Sequence, residues 1–132
     1  MKVMQELVAY FDRRQMLTPR QLRKLLDQGF LASDAPVSMI DLCDPVGASY
    51  YFRVQGSTEG QVWGTGTYTG DSTLAMAAVH AGAVKAGESG IVKVTVVPPL
   101  NQYLGSTRRG VTSGGFGRYG TAYKIAPIGK VL

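Results

Sequence analysis

One histidine, one cysteine and a cluster of cations are the residues of this chain whose chemistry could serve a function. His80 is the candidate base or metal ligand, because imidazole titrates near neutral pH. It follows Asp71 and Ser72 by about two and a half turns of helix, so the three cannot meet as a catalytic triad on one helix. In the last turn of a helix, a histidine interacts with the helix dipole or bonds a nearby carbonyl, and that structural role is the preferred reading. Cys43, between Leu42 and Asp44 in a mainly apolar run, reads as an inert thiol rather than a nucleophile. One cysteine and one histidine make no zinc set. Asp41, Asp44, Glu59, Asp71 and Glu88 are scattered without the spacing of a calcium loop. Gly64-Thr65-Gly66 and Gly114-Gly115-Phe116-Gly117 lack the lysine of a phosphate-binding loop and read as tight turns. No metal or cofactor is expected, and an enzyme is the least favoured reading. It would need a pocket that gathers His80 with a distant acid or with Cys43.

The cations carry more. From Tyr103 onward the charged residues are Arg108, Arg109, Arg118, Lys124 and Lys130, with no acid among them, against a net charge of +5 for the whole chain. Arg108-Arg109-Gly110 and Gly114 to Tyr119 would set guanidinium groups and aromatic rings on loops. Arginine forks suit phosphate and carboxylate groups, and aromatic rings stack on sugars or bases. Arg108, Arg109, Phe116, Arg118 and Tyr119 are therefore the candidate ligand residues, for an anionic glycan, a lipid headgroup or nucleic acid. The competing reading is a solvated basic edge. Trp63 could stack on a sugar, but a large aromatic in a strand leading to a buried helix reads as core.

These residues need a scaffold. A chain of 132 residues, 45% apolar and with 17 glycines, suits one compact domain rich in turns. No stretch approaches the roughly 20 apolar residues of a membrane span. Gln5, Glu6 and Asp12 interrupt the apolar pattern of the first residues, which does not make a secretory signal. With a lone cysteine that can form no internal disulfide, the expectation is a cytoplasmic protein held by packing alone.

Ser72 to Ala81 is the expected central helix. It is apolar or small around almost its whole circumference, with Asp71 or Ser72 as cap and Gly82 as terminator. Upstream, helical spacing predicts a helix over 2–14. Thr18-Pro19-Arg20-Gln21 predicts a second one ending at Gly29, through an N-cap threonine, a first-turn proline and a capping-box glutamine. Together they would form a basic hairpin over residues 1–36, ahead of a domain over 37–132. The hairpin is read as a docking or oligomerisation element, with Leu22, Leu25, Phe30 and Arg23 facing the partner. Nucleic-acid recognition by it is disfavoured, since Asp12 and Asp27 break the basic face and two helices fall short of the usual three-helix unit. Strands are expected at Val37–Leu42, Ala48–Gln55, Gln61–Tyr68, Ile91–Val97, Tyr103–Thr107 and Tyr119–Ile125, which makes an α+β fold.

The central run also carries a resemblance. Trp63-Gly64-Thr65, Tyr68-Thr69, Asp71-Ser72 and Ala77 to Gly82 are similar to the core motif of the LCCL domain family. The similarity continues through Gly90 to Val94, Tyr103 to Ser106 and Gly110 to Ser113, over about residues 45 to 126. What it implies is a central buried helix wrapped by antiparallel strands, and a non-enzymatic module suspected in the family of binding lipopolysaccharide, other glycans or proteins. Animal members that are secreted carry disulfide cysteines, which this chain lacks. Docking to a protein partner or assembly, self-association included, is the first expectation. Binding of an anionic ligand through the basic C-terminal loops is the alternative.

Overall fold

The computed structural model describes residues 18–27 and 32–131. In chain order the elements are α1 (Pro19–Asp27), β1 (Ser33–Asp34), β2 (Ser49–Gln55), β3 (Gly64–Thr65), β4 (Thr67–Thr69), α2 (Leu74–His80), β5 (Ser89–Val97), β6 (Thr107–Arg108), β7 (Val111–Thr112) and β8 (Ala122–Lys130). One sheet runs β1-β2-β5-β8-β4-β3, antiparallel except for the short parallel β1–β2 pair, and β6–β7 form a separate ribbon.

Alternation along β5 gives the sheet two different faces. Val92, Val94 and Val96 look inward, opposite Phe52 and Tyr50 of β2 and Ile125 and Tyr123 of β8. Against this face lies α2, whose Leu74, Ala77, Ala78, Val79 and His80 are buried. The two alanines let the sheet come close, and the β6–β7 ribbon closes over the helix. The expectation of a buried helix enclosed by antiparallel strands agrees with this arrangement. The other face of β5 carries Ile91, Lys93, Thr95 and Val97. One end of that outer face is covered, because α1 packs on β8, and Leu22, Ile91 and Ile128 are buried there outside the main core. Ile128 is the extra residue of a bulge, between the Ile91–Gly129 and Val92–Pro127 pairs. The lost N–H of Pro127 costs no ladder bond, because β4 flanks β8 only at Ala122 and Tyr123.

The Thr18 capping box forms as expected, with Gln21 N donating to Thr18 Oγ1 (3.2 Å) and Thr18 N donating to Gln21 Oε1 (3.0 Å). The expected helix over 2–14 lies outside the described residues, as does its junction with α1, so the described architecture does not include a helical hairpin. Elsewhere the structure corrects the expectations. Val37–Leu42 is a series of turns, with Met39 buried and Val37 and Ile40 exposed, because β1 already occupies the free edge of β2. Gln61–Tyr68 is split at Gly66 into β3 and β4. Tyr103 makes only a bridge to Phe116, and the last strand begins at Ala122 and not at Tyr119. The central helix starts later than expected. Thr73 is its N-cap, with no side-chain bond to the helix, because the Asp71 and Ser72 side chains bond elsewhere. Thr69 Oγ1 donates to Asp71 Oδ1 (2.6 Å), and Ser72 Oγ bonds Thr69 Oγ1 (2.8 Å) and accepts from Trp63 N (3.1 Å). Gly82, at φ +79°, ends the helix as anticipated.

Candidate functional site

Three of the candidate ligand residues cluster, and two depart. Phe116 sits edge-on to Tyr119 at 5.8 Å and edge-on to Trp63 at 6.4 Å. Trp63 is half-buried, so it is a wall of this surface as well as part of the packing below it. The loop is held from beneath by the buried Tyr103. Its backbone bonds Phe116 in both directions (2.7 and 2.9 Å), and its hydroxyl donates to Tyr119 O (3.1 Å) and accepts from Leu100 N (3.0 Å). Leu104, the residue after this anchor, is 67% exposed, and Phe116 is 45% exposed. Arg118, also exposed, stands between Phe116 and Tyr119 in the chain. Burial pushes the Tyr119 phenol up, and the neighbouring Asp71 carboxylate adds to the shift. The result is an aromatic and aliphatic surface with one guanidinium at its edge.

Arg109 is engaged elsewhere. It adopts a left-handed backbone (φ +55°) in the turn joining β6 to β7, and its Nη1 donates to His80 O at 2.8 Å. A cation on the last carbonyls of a helix complements the dipole, so Arg109 is a helix-capping residue. Arg108 points to a different concavity. A cleft of about 680 Å³ lies against the open end of the outer sheet face, and Thr65, Thr67, Lys93, Thr95, Arg108 and Lys124 are among its lining residues. Among the described residues no carboxylate lines it. Sequence reasoning did not place Lys93 on this face, although the signal was present. In Ile91-Val92-Lys93-Val94-Thr95 the polar residues recur at every second position, which assigns them to one face.

His80 is buried and structural. Its Nδ1 faces Tyr68 Oη (2.9 Å), and its Nε2 faces both the carbonyl oxygen and the Oγ of Ser106 (3.1 Å each). Burial lowers its pKa, with the charges of Arg108 and Arg109 acting in the same direction against the bond to Ser106. Burial raises the Cys43 thiol, and the hydrogen bond from Thr121 offsets part of that rise. Among the described residues no group of three or more His, Cys, Asp or Glu side chains is placed to hold a metal, and no helix is long and apolar enough to cross a membrane.

The expected partner-facing residues fare differently. Leu22 is only 2% exposed, which corrects its assignment to a partner: it fills the gap between α1 and the sheet of its own chain. Arg23 is exposed, while Phe30 and the side chain of Leu25 lie outside the described residues. Compared with known families, the chain matches the model of the LCCL domain over residues 45–122, and no curated protein matches it.

Proposed function

The chain belongs to the LCCL domain family, and from that premise we propose that it is a non-enzymatic interaction module that docks onto a protein partner through the surface of Trp63, Phe116 and Tyr119, with Leu104 and Arg118 at its rim. The observation that carries this reading is the exposure of Phe116 and Leu104 on a loop pinned by a buried tyrosine. Aromatic side chains and arginine are the types enriched where protein interfaces concentrate their energy, and a pinned loop loses little entropy on binding. The partner surface thereby moves from the N-terminal segment to the C-terminal loops, since Leu22 is consumed by its own fold. As an arginine cluster for an anion the same loops are weakened, because Arg109 bonds the helix end. A lone, half-buried cysteine supports the cytoplasmic placement that forms part of this proposal.

Photo-crosslinking in the producing cell tests it. A photoreactive residue at position 104 or 116 is expected to give a discrete protein adduct that the same residue at exposed Lys85 does not give. Light scattering of the purified chain then tells whether the partner is a second copy. Identical adducts at all three positions, or none at 104 and 116, would defeat the reading.

A further inference from the structure

We propose that His80 is an acid-sensitive latch: protonation of its imidazole frees the β6–β7 ribbon from α2 and withdraws Leu104 from the docking surface. The second half of this inference rests on the docking reading above, and the latch itself does not. His80 holds the ribbon at two points. Its Nε2 donates to the Ser106 carbonyl oxygen at 3.1 Å, with Ser106 Oγ at the same distance, and its main-chain oxygen accepts from Arg109 Nη1 at 2.8 Å. The ribbon moves as one piece. Ser113 N donates to Ser106 O (2.8 Å), Ser106 N donates to Ser113 Oγ (3.0 Å), and the Thr107 and Thr112 hydroxyls lie 2.9 Å apart. Its two ends are fixed to the rest of the fold, because Tyr103 bonds Phe116 in both directions and Gly114 N donates to Val62 O at 2.7 Å. Between these anchors the other ties are Thr65 Oγ1, which donates to Leu104 O (2.9 Å), and the buried Val111.

The ring is built for its neutral state. The Ser106 carbonyl can only accept, so Nε2 carries the hydrogen and Nδ1 accepts from the Tyr68 hydroxyl at 2.9 Å. A proton on Nδ1 turns that acceptor into a second donor. It also sets a full charge on a side chain with no solvent exposure, where an unpaired charge is costly. Among the described residues the charged groups that act on the ring are Arg108 and Arg109, both cations. From β4 comes Tyr68, with Tyr123 of β8 behind it at 6.0 Å between ring centroids, and burial pushes both phenols up. The other elements on α2 give Phe52 and Val54 of β2 and Val111 of β7, none of them titratable. Burial and the two arginines lower the His80 pKa. A protonated ring is a stronger donor to Ser106, but that one bond leaves its charge buried. With the sheet closing the inner side, the ribbon is the cover through which water reaches the ring, and lifting it also carries Arg108 and Arg109 away. The latch is therefore closed above about pH 6.5 and opens as pH falls through the folded pKa. Leu104, at the base of the ribbon, leaves with it, whereas Phe116 stays pinned on Tyr103.

Amide hydrogen exchange of the purified full chain from pH 7.5 to 4.5, corrected for the intrinsic rate at each pH, tests the latch without any partner. Protection of residues 105–113 is expected to fall about tenfold or more, and that of β5 and β8 less than about twofold. The loss should follow the titration of the His80 ring resonances. His80→Gln, whose amide can donate to Ser106 O but takes no proton, should abolish the pH dependence. If that variant does not fold, the coincidence of the two wild-type midpoints decides alone. An even loss across the chain, unchanged protection at 105–113 once the ring is protonated, or a ring that stays neutral until the whole chain unfolds would overturn the latch. A photoreactive residue at position 104 then tests the coupling. In permeabilised cells its adduct should drop about tenfold over the same pH range, and the adduct at position 116 less than about twofold, with neither change in His80→Gln. Equal yields at 104 across a ribbon that opens would overturn the coupling. Absence of any adduct at pH 7.5 would defeat the docking reading and the coupling with it, and leave the latch to the exchange result.

Discussion

Replacing Tyr68 by phenylalanine deletes one oxygen atom, and the structure sets what that oxygen is worth. The Ser106 carbonyl can only accept, so His80 Nε2 carries the ring hydrogen and Nδ1 accepts from the Tyr68 hydroxyl at 2.9 Å. Both side chains are fully buried, so no water replaces the lost donor. Such a hydrogen bond contributes about 1 kcal/mol net, whereas deleting one partner and leaving a buried acceptor unpaired costs about 1–3 kcal/mol in all. A loss of about 2–3 kcal/mol is expected, equivalent to a drop in Tm of about 8–12 °C for a domain of this size. Urea unfolding followed by Trp63 fluorescence at pH 7.5 measures it. The same network predicts a pH dependence. The unfolded chain protonates its histidine near pH 6.5, whereas burial keeps folded His80 neutral to lower pH. The unfolded state therefore binds more protons below pH 6.5. The contribution of His80 is fully present above that pH and is lost as pH falls through the folded pKa. Because Ser106 lies one residue before β6, the variant should also loosen the strand that carries Arg108. A loss below about 0.5 kcal/mol in Tyr68→Phe, or wild-type stability that does not change between pH 7.5 and 5.5, refutes the buried, neutral and fully bonded histidine.

Other perturbations separate backbone strain, capping and burial. Gly64 adopts φ +103°, and a Cβ there would collide with the Thr67 carbonyl oxygen, so Gly64→Ala should cost at least about 3 kcal/mol in urea unfolding. Gly66→Ala, with a positive φ but open space around the site, should cost only the conformational term of about 1–2 kcal/mol. Thr18→Ala removes the capping box and about 1 kcal/mol of local stability, which should speed amide exchange in α1 about fivefold and leave β5 unchanged. Cys43 should react with a disulfide reagent at pH 8 far more slowly than a free thiol, and in urea the full rate should return. Fast labelling of the folded chain would mean that its burial is misjudged.

The sequence announced elements wherever one local signal outweighed the rest. The Thr18–Gln21 box, the β-branched run of β5 and the Gly82 terminator all reappear in place. It misled where tertiary competition decides. Val37 to Leu42 has strand composition, but the edge it would join is already taken by β1. Asp71 and Ser72 are good capping types, yet Thr69 and Trp63 claim them and Thr73 is left at the helix start. The site divided for the same reason. Arg108 and Arg109 are neighbours in sequence, but a left-handed turn residue sends one to the sheet cleft and the other to the end of α2. No count of basic residues separates the two. The register of β5 with β8 in turn decides which lysines share a face.

That register bears on why the outer face is built as it is. The helix α2 fills the inner face, and α1, two and a half turns long, covers only the end where Ile91 and Ile128 are buried. The rest must be polar to stay in water, and threonine alone would suffice, since its β-branched chain suits a strand. Lys93 and Lys124 share that face with Thr95 and add charge to it.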